Sequence, residues 1–579
     1  MGATRDQQPT TPLRRLLKSW RYGVVLSAAM VSVGALTWRL VDLHVVDHDF
    51  LRQQGDVRTV RSEPIEAHRG MITDRYGEPL AVSTPVQTIW ANPSDIDPSD
   101  SRLSHLATLL NLDENELRQD LRKRQNRQFM FLKRKVQPNL AKQARALGIP
   151  GIYTRREYRR YYPAGEVTSH VVGFTNIDEQ GQEGLELSYD DWLRGTPGRK
   201  RVLKDNRGHV IKDLSLIRDA EPGNDLQLTI DLRLQYLAYR ELKAVVQAHK
   251  ARSGTLVMLD VDTGEVLAMV NQPSYNPNDR SQLDPSALRN RAITDVFEPG
   301  STVKPLTIAA ALESGRYTPG TYVDTSPGYL RLNGYTIRDH RNYGSLDVTH
   351  IISKSSNVGA SRIALDLTGP VVRDMFYRLG LGQATGIGFP GESIGVLPAR
   401  MDWKKIEVAT LSYGYGLSIN ALQLAQAYTV FANGGYLHPV SLVKQDNARG
   451  GQRVLDESVA RQVRQMLKQV VKDGTGTRAA LSIYQAGGKT GTVHLVGRSG
   501  YEDSDYKAIF AGMAPIDNPR IVCVVAVDDP KGDTYYGGEV AAPVFARVMS
   551  DALRLLNVEP DLDRKMADHD DKKQGGGDV

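Results

Sequence analysis

The stretch FEPGSTVKPL, residues 297–306, places a serine at the expected start of a helix. Serine is a common capping residue, so Ser301 is expected to cap this helix, and Pro305 is tolerated in a first helical turn. The alanine-rich run TIAAALES continues the pattern until Gly315, which can end it. The sequence therefore predicts a helix that begins at Ser301 and runs to about Gly315.

Helical spacing gives the same stretch a chemical meaning. Residues at positions i and i+3 share one face of a helix, so the amine of Lys304 is expected beside the hydroxyl of Ser301. An adjacent amine can activate a serine without histidine, and a helix N-terminus favours developing negative charge. The pair alone is weak evidence, because the spacing recurs at Ser441 with Lys444 and at Ser504 with Lys507.

Two further motifs follow downstream. ISKSSNVGA supplies Ser355 and Asn357, and QAGGKTGTVHL supplies the run Lys489-Thr490-Gly491-Thr492. The motifs SxxK, SxN and KTG in this order are the signature of class A β-lactamases and penicillin-binding proteins. Together they predict a serine enzyme that forms an acyl-enzyme at Ser301.

From about residue 60 to residue 556, the sequence resembles a class B penicillin-binding protein, a monofunctional D,D-transpeptidase. RGMITDRYGEPLA (69–81) and YPAGEVTSHVVGF (162–174) are similar to the family's non-catalytic pedestal, and LSYGYGLSINALQLAQAY (411–428) to its transpeptidase domain. KTGTVHLV, FAGMAPIDNPR and YYGGEVAAPVF most resemble the division-specific FtsI type, also called penicillin-binding protein 3.

The resemblance implies an α+β fold. A transpeptidase domain, built as an antiparallel sheet with helices on both faces, would follow an elongated mixed pedestal domain and one N-terminal transmembrane helix. The hairpin expected around Asp262-Thr263-Gly264 and the helical run at 421–435 agree with such a sheet and its helices.

The resemblance also implies catalytic roles. Ser301 would attack the carbonyl between the two terminal D-alanines of a stem peptide. Lys304 would be the base, either directly or through Ser355, and its pKa must then be lowered by burial and by the charge of Lys489. Asn357 would hold either Lys304 or a substrate carbonyl. The alternative for Ser355 and Asn357 is a structural pair, a capping serine and a turn asparagine.

The KTGT segment would bind the substrate. Lys489, Thr490 and Thr492 would contact the terminal carboxylate, and Gly491 would let an edge strand approach a ligand closely. By resemblance, the oxyanion hole uses the backbone amides of Ser301 and Thr492. An aromatic wall beside the cleft is an open alternative to structural packing for three tyrosines, Tyr501, Tyr535 and Tyr536.

The N-terminus predicts a membrane anchor. The uncharged run from Tyr22 to Trp38 is ~25 Å long as a helix, close to the thickness of a bilayer core. Five basic residues precede it, so the positive-inside rule places the N-terminus in the cytoplasm and exports the rest. A cleaved signal peptide, with Val33-Gly34-Ala35 as the processing site, is the alternative.

These features predict five segments: a cytoplasmic tail (1–21), a transmembrane anchor (22–41), a pedestal domain (42–223), a transpeptidase domain (224–558) and a disordered tail (559–579). The protein would lie in the cell inner membrane as a single-pass protein at the division septum, with its catalytic domain in the periplasm.

Composition limits other functions. The net charge of +6 is small for 579 residues and gives little support to nucleic-acid binding. The basic segments 122–127 and 155–160 are expected to be solvated, with contact to anionic lipid or glycan as the alternative. The lone Cys523 lies in an apolar run and is expected in the core, and neither a Cys-based zinc site nor HExxH is present. No cofactor or metal is therefore expected.

The expected partners follow from the resemblance. They are peptidoglycan stem peptides, β-lactams as covalent inhibitors, a membrane-embedded glycosyltransferase of the FtsW type, and other division proteins. Two rival functions are a penicillin-hydrolysing enzyme and a membrane scaffold that recruits division proteins. The first would need a placed water for deacylation, and no ExxLN-like motif follows SSN here.

Overall fold

The computed structural model describes residues 12–50, 59–204, 210–400, 402–445, 450–497 and 500–562. The strands in these residues are β1 (Val60–Ile65), β2 (Ile72–Thr73), β3 (Pro79–Ala91), β4 (Met130–Val136), β5 (Ile152–Tyr161), β6 (Phe174–Thr175), β7 (Gly181–Glu183), β8 (Gly198–Lys204), β9 (Val210–Arg218), β10 (Leu226–Gln227), β11 (Ser253–Asp260), β12 (Val266–Gln272), β13 (Tyr322–Asp324), β14 (Tyr329–Leu332), β15 (Tyr335–Arg338), β16 (Ser345–Asp347), β17 (Tyr436–Leu437), β18 (Gln452–Arg453), β19 (Gly487–Gly497), β20 (Gly500–Ala514) and β21 (Ile521–Asp528).

The α-helices are α1 (Pro12–Val41), α2 (Arg102–Leu110), α3 (Glu114–Lys123), α4 (Pro138–Ala146), α5 (Ser169–Val172), α6 (Gly184–Ser188), α7 (Asp190–Leu193), α8 (Leu232–Ala248), α9 (Arg291–Thr294), α10 (Lys304–Glu313), α11 (Val348–Ser353), α12 (Asn357–Leu367), α13 (Gly369–Arg378), α14 (Lys405–Ser412), α15 (Ala421–Ala432), α16 (Glu457–Asp473), α17 (Gly537–Val540) and α18 (Ala542–Leu555). Short 3-10 turns include Gly300–Val303 and Thr477–Ala479.

The chain divides into two compact units that alternate along the sequence. The first contains residues 1–67, 87–157 and 196–221, and the second contains residues 68–86, 158–195 and 222–579. The five segments expected from the sequence follow a different division, and their bounds stay predictions. The predicted tails lie largely outside the described residues.

The first unit contains a three-stranded antiparallel sheet and a helical core. The sheet has the order β1-β8-β9. The core is formed by apolar side chains of α2, α3 and α4 together with Ile89 and Ala91 of β3. Asp113 begins α3 because its carboxylate accepts a hydrogen bond from the amide of Glu116.

The N-terminal helix is the anchor candidate. Residues Trp20–Val46 form a helical segment long and apolar enough to cross a membrane, and its side chains are exposed. It covers the predicted anchor at 22–41. This finding is consistent with a single-pass membrane protein.

A buried ion cluster lies in the second unit. Arg69 and Arg160 both bind the carboxylate of Glu186, at 2.7 and 2.6 Å, and Arg69 also binds Asp190 at 2.7 Å. Because Glu186 has no exposed surface, its two arginines neutralise a charge that would otherwise be costly to bury. The expectation that the basic segment 155–160 is solvated is therefore wrong for Arg160.

The largest sheet of the second unit is a five-stranded antiparallel sheet in the order β12-β11-β21-β20-β19. The hairpin β11-β12 turns at Gly264, whose φ of +74° favours glycine, as the sequence predicts. Strands β11 and β21 are buried over nearly their whole length because both faces of the sheet are covered by helices. Cys523 lies in this core, as expected.

Helices cover the two faces of this sheet. Helices α8 and α18 pack on one face, with Phe545 of α18 against Phe510 of β20. Helices α10, α15 and α16 contribute to the larger core on the other face. The predicted α+β fold, an antiparallel sheet with helices on both faces, is thus confirmed. Strand β19, which carries KTGT, is an edge strand of the sheet.

Candidate active site

Ser301 lies in the 3-10 turn Gly300–Val303, directly before α10. The N-cap position, directly before α10, is occupied by Val303, which makes no side-chain capping bond, so the expectation that Ser301 caps the helix is wrong. Pro305 does lie in the first turn, and Gly315 follows the end of α10 with a φ of +68°. Because the serine hydroxyl is not used as a cap, it is available to the cleft that it lines.

Three contacts hold the nucleophile turn in place. The Thr302 hydroxyl donates to the carbonyl oxygen of Pro299 at 2.7 Å, and the Tyr428 hydroxyl donates to the carbonyl oxygen of Thr302 at 2.7 Å. The amide of Gly300 donates to the carbonyl oxygen of Gly414 at 3.1 Å. Since Tyr428 is fully buried in α15, the turn rests on the rigid core of the domain.

The amine of Lys304 is fully buried and lies against the Ser355 motif. Its Nζ donates to the Ser355 carbonyl oxygen at 2.6 Å and to the Asn357 Oδ1 at 2.7 Å, and the Ser355 Oγ lies 3.1 Å away. Within the described chain the Ser301 hydroxyl makes no hydrogen bond, although it lines the same cleft as Ser355 and Asn357. Asn357 thus holds the lysine, one of the two roles considered for it.

The backbone of Ser355 is in an unusual conformation. Its φ is +61°, in the left-handed region that costs a residue with a side chain ~1–2 kcal/mol. The next residue, Ser356, caps α12 by accepting a hydrogen bond from the amide of Gly359. The capping alternative therefore applies to Ser356, while Ser355 faces the two lysines with both its carbonyl and its hydroxyl.

Asp339 anchors this motif from the loop after β15. Its carboxylate accepts hydrogen bonds from the Ser356 hydroxyl at 2.6 Å and from the amides of Asn357 and Val358 at 2.5 and 3.0 Å. A carboxylate at a helix N-terminus also stabilises the helix dipole. Nothing in the local sequence RDH singles out this residue, because its role depends on a contact with a helix that begins 18 residues later.

Lys489 is the second buried amine of the site. Its Nζ donates to the Ser355 Oγ at 3.0 Å and to the carbonyl oxygen of Thr490 at 3.2 Å. The Ser355 hydroxyl therefore lies between two lysine amines. The three motifs that the sequence singles out are brought together at this oxygen.

The remaining KTGT residues shape the cleft wall. A Cβ at Gly491 would lie 2.9 Å from the Thr302 Cγ2 and 3.1 Å from the Pro299 carbonyl oxygen. The glycine therefore lets β19 approach the nucleophile turn, whereas the sequence predicted a close approach to a ligand. The Thr492 hydroxyl accepts a hydrogen bond from the Gly537 amide at 3.0 Å.

Both lysine amines have lowered pKa values. Burial lowers the pKa of Lys304 well below its ordinary value of 10.5, the charge of Lys489 lowers it further, and Asp339 acts in the opposite direction. Burial lowers the pKa of Lys489 to about 7. Because like charges disfavour double protonation, the pair holds a neutral amine near neutral pH. The sequence argument required such a shift.

The cleft that contains Ser301 has a volume of about 590 Å³. Its wall includes a run of stacked rings, with centroids of Tyr506 and Tyr535 4.0 Å apart and those of Tyr535 and Tyr536 4.5 Å apart. His494 lies against Tyr506 with centroids 4.6 Å apart. The aromatic alternative is thus favoured for Tyr535 and Tyr536, whereas the side chain of the third predicted tyrosine, at 501, lies outside the described residues.

Comparison with known proteins identifies the two domains that the chain contains. Residues 254–550 match the penicillin-binding protein transpeptidase domain, and residues 64–228 match the penicillin-binding protein dimerisation domain. The peptidoglycan D,D-transpeptidase FtsI of Escherichia coli K12 is 44% identical over 94% of this chain and 93% of its own.

Two solved structures of penicillin-binding proteins are similar to this chain. The transpeptidase domain of penicillin-binding protein 3 from Burkholderia pseudomallei is 45% identical, covers 58% of this chain and 98% of its own, and has a TM-score of 0.53. Penicillin-binding protein 3 of Mycobacterium tuberculosis in complex with aztreonam is 27% identical, covers 86% of this chain and 98% of its own, and has a TM-score of 0.68. The chain therefore belongs to the penicillin-binding proteins, in the branch that includes FtsI and in which a dimerisation domain precedes a transpeptidase domain.

Proposed function

We propose that this protein cross-links peptidoglycan with Ser301 as its nucleophile, Lys304 and Ser355 as proton-transfer groups, and Asn357 as the residue that holds Lys304. The chain is a serine-type peptidoglycan D,D-transpeptidase and a β-lactam target, as its family membership states. The observation that supports the assignment of residues is the position of the Ser355 hydroxyl between the buried amines of Lys304 and Lys489.

The first half of the reaction forms an ester. The Ser301 oxygen attacks the carbonyl carbon between the two terminal D-alanines, and its proton passes to the neutral amine of Lys304. As the tetrahedral intermediate collapses, the C–N bond breaks and a proton reaches the leaving amine of D-alanine through the Ser355 hydroxyl, which can both accept and donate. The product is a peptidyl ester on Ser301 and free D-alanine.

The second half transfers the peptide. An amine of a second strand attacks the ester carbonyl, its proton returns through the same groups to the Ser301 oxygen, and a new amide bond replaces the ester. In both halves the developing oxyanion is proposed to bind the backbone amides of Ser301 and Thr492, and the terminal carboxylate to bind Lys489, Thr490 and Thr492. Preorganised donors of this kind act strongly because they are fixed before charge develops.

Fluorescent penicillin tests the nucleophile. Wild type should be labelled and Ser301→Ala should not, with little change in the thermal unfolding curve, because the serine hydroxyl makes no hydrogen bond within the described chain. Ser441→Ala is the matched control, since Ser441 belongs to a second SxxK sequence but its hydroxyl bonds the Val443 carbonyl oxygen. Labelling that persists in Ser301→Ala would contradict the assignment.

The orientation of the protein is a further proposal. Basic residues precede the anchor candidate Trp20–Val46, so the N-terminus would be cytoplasmic and the catalytic domain periplasmic, at the division septum. Protease added to spheroplasts should digest the catalytic domain, and digestion only after lysis would contradict this orientation.

A partner is proposed for glycan polymerisation. Neither matched domain is a glycosyltransferase, so strand synthesis would be performed by a membrane-embedded enzyme of the FtsW type, together with other division proteins. Co-purification of such an enzyme with the full chain from membranes, and its loss when residues 12–50 are replaced by an unrelated anchor, would support this partner.

A further inference from the structure

The basic segment 122–127 belongs to a longer stretch that carries charge of one sign. Residues 122–156 contain eleven lysines and arginines and no aspartate or glutamate, and all of them lie in the first unit. Three of these cations, Arg122, Lys123 and Arg127, are exposed and form no ion pair within the described chain. This part of the first unit therefore carries positive charge that its own carboxylates do not neutralise.

A row of four aromatic rings lies in the same unit. Trp90 of β3 stacks on Tyr153 of β5 with centroids 4.7 Å apart. Phe129, directly before β4, lies 5.1 Å from Trp90 and 4.7 Å from Phe131 of β4, again between centroids. Phe129 and Phe131 are each 43% exposed. We call these four side chains the aromatic row, and an exposed apolar patch of this kind is typical of an interaction surface.

The aromatic row lies on the outer face of its sheet. Ile89 and Ala91, the neighbours of Trp90 along β3, are fully buried in the helical core of the unit. Because side chains alternate between the two faces of a strand, Trp90 lies on the face opposite to this core. Phe131 pairs with Trp90 in the register of β3 and β4. The row therefore forms a platform that is supported from behind by packed side chains.

The unpaired cations border the exposed half of the row. After α3 ends, the chain turns tightly, and the Arg127 amide donates to the Arg124 carbonyl oxygen at 2.7 Å. Phe129 follows two residues later, so its Cα lies within about 7 Å of that of Arg127. At the end of the row, the guanidinium carbon of Arg134 lies 4.9 Å from the ring centroid of Phe131. Charge and flat apolar surface are thus offered to one ligand together.

We propose that the aromatic row and its neighbouring cations bind a glycan strand of peptidoglycan, through residues that are separate from the Ser301 cleft. The C–H face of a sugar ring packs on an exposed aromatic ring, and a guanidinium donates to the carboxylates of stem peptides in a planar geometry. A membrane needs apolar side chains that project into it, whereas these rings pack against one another on a sheet. The inference rests on the family's activity toward peptidoglycan and not on the roles proposed for Ser301 and Lys304.

Sedimentation with purified peptidoglycan sacculi tests this surface. The full chain in detergent is first acylated with penicillin, so that the Ser301 cleft is occupied and binding elsewhere is measured. The fraction of protein that pellets with increasing amounts of sacculi gives an apparent Kd. Wild type should pellet, and added salt should weaken the binding because the cations are exposed.

Paired substitutions test the charge. Arg122→Gln with Arg127→Gln should weaken binding by about fivefold, since each exposed charge contributes modestly. Arg122→Lys with Arg127→Lys keeps the charge and should lose less. Arg461→Gln with Lys472→Gln is the matched control, because both residues are exposed on α16 of the second unit and form no ion pair within the described chain. This control removes the same charge and should bind sacculi as wild type does.

Two substitutions at one position test the rings. Phe129→Leu keeps an apolar side chain but removes the flat ring, and should weaken binding by about fivefold. Phe129→Tyr keeps the ring and should bind nearly as wild type does. A membrane-binding surface would accept leucine as well as phenylalanine, so equal binding of Phe129→Leu and wild type would contradict stacking on sugars. Thermal unfolding of both variants checks that they are folded.

The ligand can be changed in the same assay. Sacculi whose carboxylates have been amidated should bind wild type about fivefold more weakly, because the cations lose their partners. The full chain in nanodiscs of zwitterionic lipid or of anionic lipid should pellet equally with untreated sacculi. Loss of binding in the anionic nanodiscs would show that a membrane occupies the surface, and would refute the glycan site.

Penicillin labelling of the same preparations separates this inference from the proposed function. The variants at 122, 127 and 129 should be labelled at the wild-type rate, whereas Ser301→Ala should remain unlabelled and still pellet. If wild type does not pellet, or if Arg122→Gln with Arg127→Gln binds as tightly as wild type, the glycan site is refuted while the nucleophile assignment stands. Absence of labelling in wild type would contradict the nucleophile and leave the glycan site unaffected.

Discussion

The Nζ of Lys489 lies 3.0 Å from the Oγ of Ser355. The same hydroxyl oxygen lies 3.1 Å from the Nζ of Lys304, so one side chain links two buried amines. A proton can therefore pass between Lys304 and Lys489 through the Ser355 hydroxyl without entering solvent. The site therefore depends on burial to keep one amine neutral. The pH dependence of acylation tests this directly.

Penicillin acylation should rise with pH as the lysine pair loses a proton. The pKa of Lys489 is about 7, and that of Lys304 is well below 10.5 because of burial and the neighbouring charge. The midpoint of the acylation rate should therefore lie closer to 7 than to 10.5.

Lys489→Met removes the neighbouring charge, so the remaining Lys304 should titrate at a higher pH and react more slowly. Rates measured by stopped flow from pH 5 to 10 give both midpoints, and a wild-type midpoint above 9 would contradict the burial argument.

The same burial should appear in stability. Between the folded-state pKa of Lys489 near 7 and its unfolded value near 10.5, the unfolded chain binds more protons. The contribution of this lysine to the free energy of unfolding therefore rises with pH in that range, by at most about 1.4 kcal/mol per pH unit. Lys489→Met lacks this contribution and should show a shallower dependence. Urea unfolding of both proteins from pH 6 to 9.5 measures the difference, and parallel curves would show that the pKa of Lys489 is not lowered in the folded protein.

Much of the site could be predicted from sequence because its three motifs are short and local. The motifs carry chemical meaning in combination, and the structure brings them together: Ser301, Ser355 and Thr490 line one cleft. The buried amines of Lys304 and Lys489 both bond Ser355. The hairpin expected around Gly264 and the helical run at 421–435 likewise agree with the α+β class. The sequence could not show that Ser301 lies in a 3-10 turn, since a shift of two residues in the helix start decides between a capping serine and a free hydroxyl.

The sequence did not indicate the residues that hold the site in place, for a different reason. Asp339 and Tyr428 act through contacts with residues far along the chain, and neither lies in a motif of its own. The burial of Arg160 with Glu186 is also a long-range fact, because a basic run such as RREYRR has the same composition whether it is solvated or paired. Tertiary contact, not local pattern, decides such cases.

Asp339 should act as a positioning residue for the Ser355 motif. Asp339→Ala removes three acceptor contacts at the start of α12 and should lower stability by about 1–2 kcal/mol and slow penicillin acylation by about tenfold. Asp339→Asn keeps one acceptor oxygen for the amides and should recover part of the rate. Since Asp339 raises the pKa of Lys304, both variants should also move the acylation midpoint to lower pH.

A purely structural role for Asp339 would change the unfolding curve without moving that midpoint. The control is Asp324→Ala, because Asp324 accepts one backbone amide hydrogen bond, from Ser326, and does not line the cleft. Its acylation midpoint should equal that of wild type. An unchanged midpoint in both Asp339 variants would contradict the positioning role.

Gly300 should be required for the shape of the nucleophile turn. Its φ is +54°, and a Cβ there would lie 2.3 Å from the Val493 Cγ1, so Gly300→Ala adds a clash to backbone strain. Gly315→Ala is the matched control, since Gly315 has a φ of +68° with no atom within 4 Å of the added Cβ. The control should lose about 1 kcal/mol of stability and keep full penicillin labelling, whereas Gly300→Ala should be labelled at least tenfold more slowly.

Val493→Ala removes the clashing methyl group, so the double variant Gly300→Ala with Val493→Ala should recover part of the labelling rate. If the double variant is no faster than Gly300→Ala, the effect comes from backbone strain alone and the packing of the turn against β19 is not what positions Ser301.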